Sequence, residues 1–258
     1  MKILVCIKQV RDTESPVEIS GDSGWISEEG PIAFRMNRYD EFALEEAVLI
    51  REALGDVTVD AISVGPSRFS STLKKALEKG AASGIHILSD HEGYCPPSLI
   101  AALIADYASD KGYDLILTGV MAEDDMQCQV GPLIAAHLDL PCAVSVVRET
   151  INPAEKTITV ECELEGGINE TIRLPMPCLL AIQSGINRPR YPSLSNVLRA
   201  KEQKLVTVNA NQADTPGTPE QLRAISYPEK GSAGVIIGGT AEQKAEQLLA
   251  VLHEKSLL

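Results

Sequence analysis

The sequence predicts a doubly wound α/β domain with a mostly parallel β-sheet. Short runs of β-branched and apolar residues alternate with segments that repeat apolar residues at helical spacing, which is typical of parallel strands joined by crossover helices. Turn-forming residues, such as Gly65-Pro66 and Gly80, separate the two kinds of segment. A chain of 258 residues can bury roughly 70 to 75% of its unfolded surface, so we expect one large domain with a tail.

The first half of the chain carries this alternation most clearly. Residues 2–8 form the first apolar run, residues 41–54 have helical spacing, and the helical segment at residues 70–79 is stopped by Gly80. The further strands are predicted at residues 57–64, 85–88 and 115–119, and the further helices at residues 97–109 and 131–138. Pro141 closes the last of these helices, because proline cannot continue a helix.

The strands of the second half form a different pattern. Three β-rich runs lie at residues 144–148, 157–164 and 168–174. Gly166 and Gly167 lie between the last two runs, which favours a hairpin-like extension of the sheet. Residues 178–183 (CLLAIQ) are almost uniformly apolar, so we expect them to return to the centre of the sheet.

The C-terminal part of the chain has its own composition. Residues 209–219 are a polar linker with two prolines, and helical spacing resumes at residues 240–255. The apolar face of that helix consists of Ala241, Ala245, Leu248, Leu249 and Leu252. Such a face packs either on its own domain or on a partner protein.

Composition disfavours several classes of function. The chain has 23 Lys and Arg against 36 Asp and Glu, a formal charge of −13, which disfavours binding to nucleic acid or anionic lipid. It has no apolar run of about 18 residues, and Lys8 interrupts the N-terminal apolar stretch. We therefore expect a cytoplasmic protein without direct membrane insertion. The six cysteines lack the spacing of zinc ligands, so reduced thiols and no metal site are expected.

A basic, proline-broken segment at residues 187–201 (NRPRYPSLSNVLRAK) is not a feature that a self-contained enzyme core requires. Together with upstream residues it carries a recognisable pattern, formed by Glu165-Gly166-Gly167, Thr171-Ile172-Arg173, Pro177, Asn187, Pro189-Arg190-Tyr191, Leu194 and Ala200-Lys201. With this pattern the chain resembles the electron transfer flavoprotein beta subunits over nearly its whole length. The resemblance implies a Rossmann-like fold of the adenine nucleotide alpha-hydrolase type. Its nucleotide-binding domain would be residues 1–208, and residues 209–258 would be a linker and C-terminal arm that pack on a partner alpha subunit.

A nucleotide is expected at the carboxyl ends of the parallel strands, where an open α/β sheet leaves a crevice and helix N-termini present free N–H groups. Residues 118–132 join a predicted strand to a predicted helix there, and they resemble the family's adenine-nucleotide loop. Considered alone, the segment could equally be an ordinary acidic loop. The sequence departs from the family pattern at Val120, Met121 and Met126, so at these positions backbone contacts are implied and side-chain contacts are not.

The resemblance implies a specific set of nucleotide-binding residues. They are Cys6, Asn37, Arg38, Tyr39, Asp40, Val64, Gly119, Val120, Met121, Ala122, Glu123, Asp124, Asp125, Met126, Gln127, Cys128, Gln129 and Val130. Asn37 is also well placed to cap the helix that follows it. Arg38 stands where the family has a proline.

Partner contacts also follow from the resemblance. Leu194 corresponds to a leucine that projects into an apolar pocket of acyl-CoA dehydrogenases, and Tyr191, Arg199 and Lys201 flank it. Glu163 corresponds to a carboxylate that faces the flavin domain of the alpha subunit. The alternatives are that Leu194 packs inward and that Glu163 is simply solvated.

The implied function is electron carriage rather than catalysis. FAD, held mainly by the alpha subunit at the subunit interface, would accept electrons from acyl-CoA dehydrogenases in fatty acid beta-oxidation and pass them to a quinone oxidoreductase. AMP would be bound structurally in this chain. We assign no catalytic residue, because the sequence has no G-x-S-x-G elbow and no H-E-x-x-H.

Two alternatives remain open. In bifurcating members of the same family a second FAD replaces AMP and accepts hydride from NADH. Residues 6–10, 39–40 and 129–132 favour this alternative, whereas Met126 and residues 120–121 and 163–167 oppose it. A stand-alone ATP-cleaving α/β enzyme would need a glycine-rich phosphate loop after the first strand. The chain has KQVRD at residues 8–12 instead.

Overall fold

A computed structural model describes residues 1–20, 25–27, 30–89, 94–210, 220–229 and 234–258. The strands are β1 (Lys2–Cys6), β2 (Gln9–Arg11), β3 (Phe34–Met36), β4 (Thr58–Gly65), β5 (Ser83–Leu88), β6 (Leu115–Gly119), β7 (Cys142–Asn152), β8 (Thr157–Leu164), β9 (Ile168–Pro175), β10 (Cys178–Ile182) and β11 (Val206–Asn209). The helices are α1 (Arg38–Leu54), α2 (Ser70–Lys79), α3 (Pro97–Ala108), α4 (Val130–His137), α5 (Leu194–Glu202) and α6 (Ala241–Glu254). The chain forms two compact units, Met1–Ile225 and Ser226–Leu258.

The first unit is built on one large sheet. In the described part of the chain this sheet has nine strands in the order β11-β5-β4-β1-β6-β10-β7-β8-β9. Neighbouring strands are parallel from β11 to β7, and β8 and β9 continue the sheet antiparallel. The predicted doubly wound α/β fold is therefore confirmed.

The topology creates a crevice at one edge of the sheet. From β1 the chain moves outward to β4 and β5, and α3 then returns it to β6 on the other side of β1. The crossovers on the two sides of β1 diverge, so the carboxyl ends of β1 and β6 leave an open site between them.

Helices cover both faces of the sheet. Alternate residues of β1 point to opposite faces: Ile3 and Val5 pack with residues of α1 and α2, whereas Leu4 packs with residues of α3 and α4. Burial of a Leu, Ile or Val side chain stabilises a fold by about 1.5–3 kcal/mol. Because both faces are covered, β1, β6 and β10 have apolar residues on both sides, which explains their near-continuous apolar sequences.

The hairpin and the central strand are also as predicted. β8 and β9 pair antiparallel from Thr157↔Pro175 to Leu164↔Ile168, and the turn uses Gly166 and Gly167 at φ 79° and 74°. β10 lies between β6 and β7 and is buried throughout. The left-handed backbone at Gly166 and Gly167 explains why the turn between β8 and β9 consists of glycines.

Several boundaries and short strands differ from the prediction. β1 ends at Cys6, and the next residues form β2, which pairs antiparallel with β3. Strands of three or four residues such as β2, β3 and β11 are too short for a periodicity to be recognised. β7 is longer than predicted and contains Ser145 at φ 55°, and its polar second half lies partly in solvent.

The second unit contains α6. Thr240 caps this helix and forms a reciprocal capping box with Gln243. Of its apolar residues, Leu248 and Leu249 are 50% and 49% exposed, and packing of this helix on a partner stays a prediction. Apart from Asn209 and Ala210, the predicted linker at residues 209–219 lies outside the described residues. Among the helices of the described residues, none has the length and apolar composition needed to cross a bilayer.

Glu149 provides a test of the packing between β7 and α1. It is half-buried beside Glu46, and burial, followed by the charge of Glu46, raises the pKa of Glu149 to about 7. An unfolded Glu has a pKa of about 4.3, so the folded state binds more protons between about pH 4 and 7 and loses stability as the pH rises through that range. We expect Glu149→Gln to be more stable than wild type by about 1–2 kcal/mol at pH 8 and no more stable at pH 4.5, as measured by urea unfolding across pH.

Glu170→Gln, on the exposed edge strand β9, is the matched control and should follow the wild-type pH dependence. Parallel pH profiles for Glu149→Gln and wild type would contradict this account of Glu149.

Candidate functional site

Asp40 joins the ends of the strands that border the crevice. Its Oδ2 accepts a hydrogen bond from the Lys8 backbone N–H at 2.7 Å, and its Oδ1 accepts one from the Gly119 N–H at 3.0 Å. The side chain is buried, and burial raises the pKa of Asp40 to about 7 despite these hydrogen bonds. A Cβ on Gly119 would lie 2.5 Å from Asp40 Oδ1 and 2.6 Å from Tyr39 Cβ. Only glycine therefore fits at the end of β6.

Asn37 crosses from the start of α1 to the loop of residues 120–129, which we call the crevice loop. Its Nδ2 donates to the Met121 carbonyl at 2.9 Å, and its Oδ1 accepts from the Glu123 N–H at 3.1 Å. Asn37 occupies the N-cap position but makes no side-chain capping bond, so the capping role predicted from the sequence is wrong. Both the nitrogen and the oxygen of the Asn37 amide bond instead to the crevice loop, more than 80 residues further along the chain.

Glu123 provides the cap instead. Its Oε2 accepts a hydrogen bond from the Arg38 N–H at 3.2 Å, at the first residue of α1, and its Oε1 accepts one from Arg35 at 3.1 Å. A carboxylate at a helix N-terminus satisfies an unpaired N–H and interacts favourably with the helix dipole. Glu123 thus fastens the crevice loop to α1.

Lys8 neutralises two further carboxylates of the crevice loop. Its Nζ donates to Asp124 Oδ1 at 2.7 Å and to Asp125 Oδ2 at 2.9 Å. Burial disfavours the ammonium, but the charges and hydrogen bonds of Asp124 and Asp125 outweigh it and raise the pKa of Lys8. Lys8 was not among the predicted site residues, because nothing in the sequence near residue 8 indicates a partner that lies 116 residues further on.

The second half of the crevice loop has an unusual backbone. Met126 and Cys128 adopt φ values of 51° and 56°, a left-handed conformation that residues other than glycine rarely adopt and that is enriched at ligand sites. The Met126 N–H donates to the Ala122 carbonyl at 2.9 Å and the Gln127 N–H donates to Asp125 Oδ1 at 3.2 Å, so hydrogen bonds within the loop hold this backbone. α4 begins immediately afterwards at Val130, and the N-cap residue Gln129 makes no side-chain capping bond.

Thr118 lies beneath the start of α4. Its Oγ1 is buried and has no hydrogen-bond partner in the structure. A Cβ on Gly131 would approach this oxygen to 2.7 Å, so glycine allows the first turn of α4 to pack against the end of β6. Free N–H groups and the helix dipole at such a helix start favour a negatively charged ligand.

Aromatic residues border the crevice loop on one side. The Gln127 Nε2 donates to the Tyr94 hydroxyl at 3.0 Å. The Tyr94 ring packs on the ring of Trp25, with 5.5 Å between ring centroids and an interplanar angle of 59°. This tilted pair gives the site a partly exposed aromatic surface beside its polar loop.

The other predicted nucleotide-binding residues surround this region with differing exposure. Cys6 and Val64 end β1 and β4, are each 6% exposed and face the side of the sheet that α3 and α4 cover. Burial, followed by the charge of Asp40, raises the pKa of the Cys6 thiol, so Cys6 is a packed neutral group. The half-buried members are Tyr39, Gly119, Val120, Met121, Ala122, Glu123, Asp125, Gln127, Gln129 and Val130, and the exposed members are Arg38, Asp124, Met126 and Cys128.

The predicted partner-binding residues lie elsewhere on the first unit. Leu194 and Tyr191 are 76% and 95% exposed, so Leu194 does not pack inward in this chain. Arg199 donates to the carbonyls of Leu77 and Ala81 at the end of α2, a contact within its own domain. Lys201 is exposed at the end of α5, and Glu163 is exposed near the end of β8.

Thiols and acidic groups are the side chains that most often bind metal ions in proteins. All six cysteines are free. In the part of the chain that the structure describes, no group of three or more His, Cys, Asp or Glu residues is arranged to hold a metal ion.

Comparison with known proteins identifies the family. The electron transfer flavoprotein domain matches residues 25–213. The chain belongs to the electron transfer flavoprotein family, as a beta-subunit member.

It is 30% identical over 262 residues to the electron transfer flavoprotein subunit beta of Methylophilus methylotrophus, an alignment that covers 98% of each chain. It is 31% identical to the subunit beta of Bacillus subtilis (strain 168) over 261 residues and 99% of each chain. The mitochondrial subunit beta of Oryza sativa subsp. indica is 33% identical over 245 residues, covering 94% of this chain and 95% of the relative. The resemblance noted in the sequence is therefore confirmed.

The ion pairs of Lys8 can be tested through the order of the crevice loop. We expect Lys8→Met to accelerate amide hydrogen exchange in residues 120–129 by roughly tenfold, because Asp124 and Asp125 would then repel each other without a cation. Mass spectrometry of exchanged peptides is the measurement. Combining Lys8→Met with Asp124→Asn and Asp125→Asn should restore slow exchange, since it removes the repulsion.

Lys111→Met is the matched control. Lys111 pairs with Asp110, and its carbonyl accepts from Lys2 at the amino end of β1, so it lies at the opposite edge of the sheet. Equal exchange in the crevice loop of Lys8→Met and of wild type would show that these ion pairs do not order the loop.

Proposed function

We propose that this chain is the beta subunit of a heterodimeric electron transfer flavoprotein. FAD held mainly by an alpha subunit accepts electrons from acyl-CoA dehydrogenases and passes them to a quinone oxidoreductase, and AMP fills the crevice of this chain. The observation that carries the proposal is the full-length similarity to beta subunits, which extends over 98% of the chain.

The crevice suits the phosphate of AMP. The start of α4, where Gln129 makes no side-chain capping bond, offers N–H groups to an anion. The carboxylates nearby are already paired, Asp124 and Asp125 with Lys8 and Glu123 with Arg35. Lys8 and Arg35 therefore offset part of the negative charge that would oppose an additional anion.

In this proposal the chain takes part in electron carriage through its surface rather than by catalysis. The flavin supplies the redox chemistry when it is bound. Glu163, exposed near the hairpin turn, would face the flavin domain of the alpha subunit and pair with a cation there. The C-terminal helix α6, with Leu248 and Leu249 half exposed, would pack on the alpha subunit.

Leu194 would be the anchor for the dehydrogenase. It stands at the first residue of α5 beside Tyr191, and both side chains are well exposed. Interface energy is concentrated in a few apolar or aromatic residues that fill pockets on the partner. Lys201 would add an attractive charge at the edge of the contact. The free state of all six cysteines fits a reducing compartment such as the cytoplasm.

A second candidate is the bifurcating type, in which a second FAD occupies the crevice. The pairing of Trp25 with Tyr94 beside Gln127 favours it, because an isoalloxazine ring could stack on this aromatic surface. The identity of the nucleotide separates the two candidates.

The nucleotide content of the heterodimer is the first test. We expect acid release from the copurified complex to yield one FAD and one AMP per heterodimer, measured by chromatography against standards. Lys8→Met should lower the AMP yield and leave the FAD yield unchanged, because the Lys8 side chain donates to Asp124 and Asp125 of the crevice loop and the substitution keeps the backbone hydrogen bond to Asp40. Two FAD and no AMP would instead support the bifurcating candidate.

The anchor is tested by Leu194→Ala. We expect KM for the heterodimer to rise about tenfold when it accepts electrons from an acyl-CoA dehydrogenase, which corresponds to about 1.4 kcal/mol of binding energy. FAD content should be unchanged. The measurement is the initial rate at which the dehydrogenase reduces the flavin of the heterodimer, followed by the loss of flavin absorbance at several heterodimer concentrations.

Leu54→Ala is the matched control, because Leu54 is a partly exposed leucine at the end of α1, away from α5. If Leu194→Ala and Leu54→Ala have the same KM as wild type, Leu194 is not an anchor for this partner.

A further inference from the structure

Two side chains fasten residues 187–190 to α1. Asn187 Nδ2 donates to the Phe42 carbonyl at 2.9 Å and to Glu46 Oε2 at 2.7 Å. Arg190 donates through its backbone N–H to Glu45 Oε2 at 3.0 Å, and through its guanidinium to both oxygens of Glu45 at 2.8–3.0 Å. The same guanidinium reaches Glu52, about two turns further along α1, at 2.5 and 3.0 Å.

The ion pair of Arg190 with Glu45 is shielded from solvent. The Glu45 side chain is 7% exposed and that of Arg190 is 29% exposed. The hydrogen bonds that the Arg190 guanidinium donates to Glu52 and Glu45 raise the pKa of Arg190, and the one to Glu52 lowers the pKa of that carboxyl. Removal of one partner from such a pair leaves a buried charge uncompensated, which is strongly destabilising locally.

The other end of the segment is also fixed. Arg199 and Gln203 donate to backbone carbonyls at and after the end of α2, those of Leu77, Ala81 and Ala82. Ala200 is 3% exposed and belongs to the core. α5 is therefore held against α2, while residues 187–190 are held against α1.

Apolar side chains are exposed between these two attachments. Tyr191, Leu194 and Leu198 are 95%, 76% and 54% exposed. Exposed apolar groups on a rigid support lose little conformational entropy when they bind, so pre-organisation contributes to affinity. A flexible segment with the same side chains would bind more weakly.

We propose that Arg190, through Glu45 and Glu52, is a positioning residue that holds Leu194 in the geometry a partner recognises. The identity of that partner, an acyl-CoA dehydrogenase, rests on the proposed function. Arg190 acts by holding Leu194 in place and does not contact the partner, because Glu45 and Glu52 already occupy its guanidinium. A positive charge alone does not reproduce this role, since a lysine cannot form the two-sided fork.

The first variant is Arg190→Lys in the intact heterodimer, which keeps the charge and removes the fork. We expect amide hydrogen exchange in residues 191–197 to rise at least tenfold, with FAD content unchanged. In electron transfer from the dehydrogenase we expect KM to rise about fivefold with kcat retained, because loss of pre-organisation weakens binding and leaves the redox step intact. Glu52→Gln removes only the charge of the more exposed partner, so exchange and KM should rise by less than in Arg190→Lys. This milder variant keeps the proposal testable if a stronger variant does not fold.

Arg173→Lys is the matched control. Arg173 on β9 also pairs with a glutamate, Glu155, but on the exposed edge of the sheet. It should change neither the exchange of residues 191–197 nor KM.

The outcomes separate this proposal from the proposed function. Unchanged exchange in both Arg190→Lys and Arg190→Ala overturns it. A second result also overturns it: Arg190→Lys raises the exchange of residues 191–197 but keeps the wild-type KM, while Leu194→Ala raises KM. Binding of the partner would then depend on Leu194 but not on the geometry of the segment. If wild-type heterodimer accepts no electrons from any dehydrogenase supplied, the proposed function fails, and the exchange result alone then supports or overturns the attachment of the segment by Arg190.

Discussion

The buried carboxylate of Asp40 is the contact on which the candidate site depends. It accepts hydrogen bonds from the backbone after β1 and from the last residue of β6, the two strands on either side of the topological switch point. Because both donors are backbone groups, the strand ends are held at a fixed separation whatever side chains surround them. The crevice loop starts directly after Gly119, so this contact fixes the position at which the loop leaves the sheet.

Local pairing of charge explains how an acidic chain can offer a site for an anion. The formal charge is −13, yet each carboxylate of the crevice loop has a cationic partner, Lys8 for Asp124 and Asp125 and Arg35 for Glu123. The start of α4 adds N–H donors. Net charge therefore describes the long-range field of the protein but says little about a site a few ångströms across.

The sequence predicts what depends on local periodicity and on burial from both sides. The strands β1, β4, β6 and β10 are continuous apolar runs because both faces of the sheet are covered, and the alternation with helices then leaves few possible topologies. The position of the crevice loop followed from the same rule, since ligands bind where parallel strands end.

Contacts between distant segments could not be predicted in this way. Asn37 lies at a helix start, where an asparagine is normally a cap, but its amide instead bonds to residues 84 and 86 positions away. Arg190 belongs to the basic segment at residues 187–201, yet Glu45, 145 residues earlier, pairs with it. Neither partner has a local signal, because each pair forms only after the sheet has brought α1 next to the ends of β6 and β10.

Helix α1 connects the crevice with the exposed segment that carries Leu194. Its first turn contributes Asp40 and receives the carboxylate of Glu123, and its later turns present Glu45 and Glu52 to Arg190. The helix has 17 residues, which is a length of about 25 Å, and it packs on the sheet through its whole apolar face. A ligand that binds only the folded crevice stabilises the native arrangement of every element fixed to it. The start of α1 is one of those elements, so a nucleotide without redox chemistry would still support the helix from which the Leu194 segment is held.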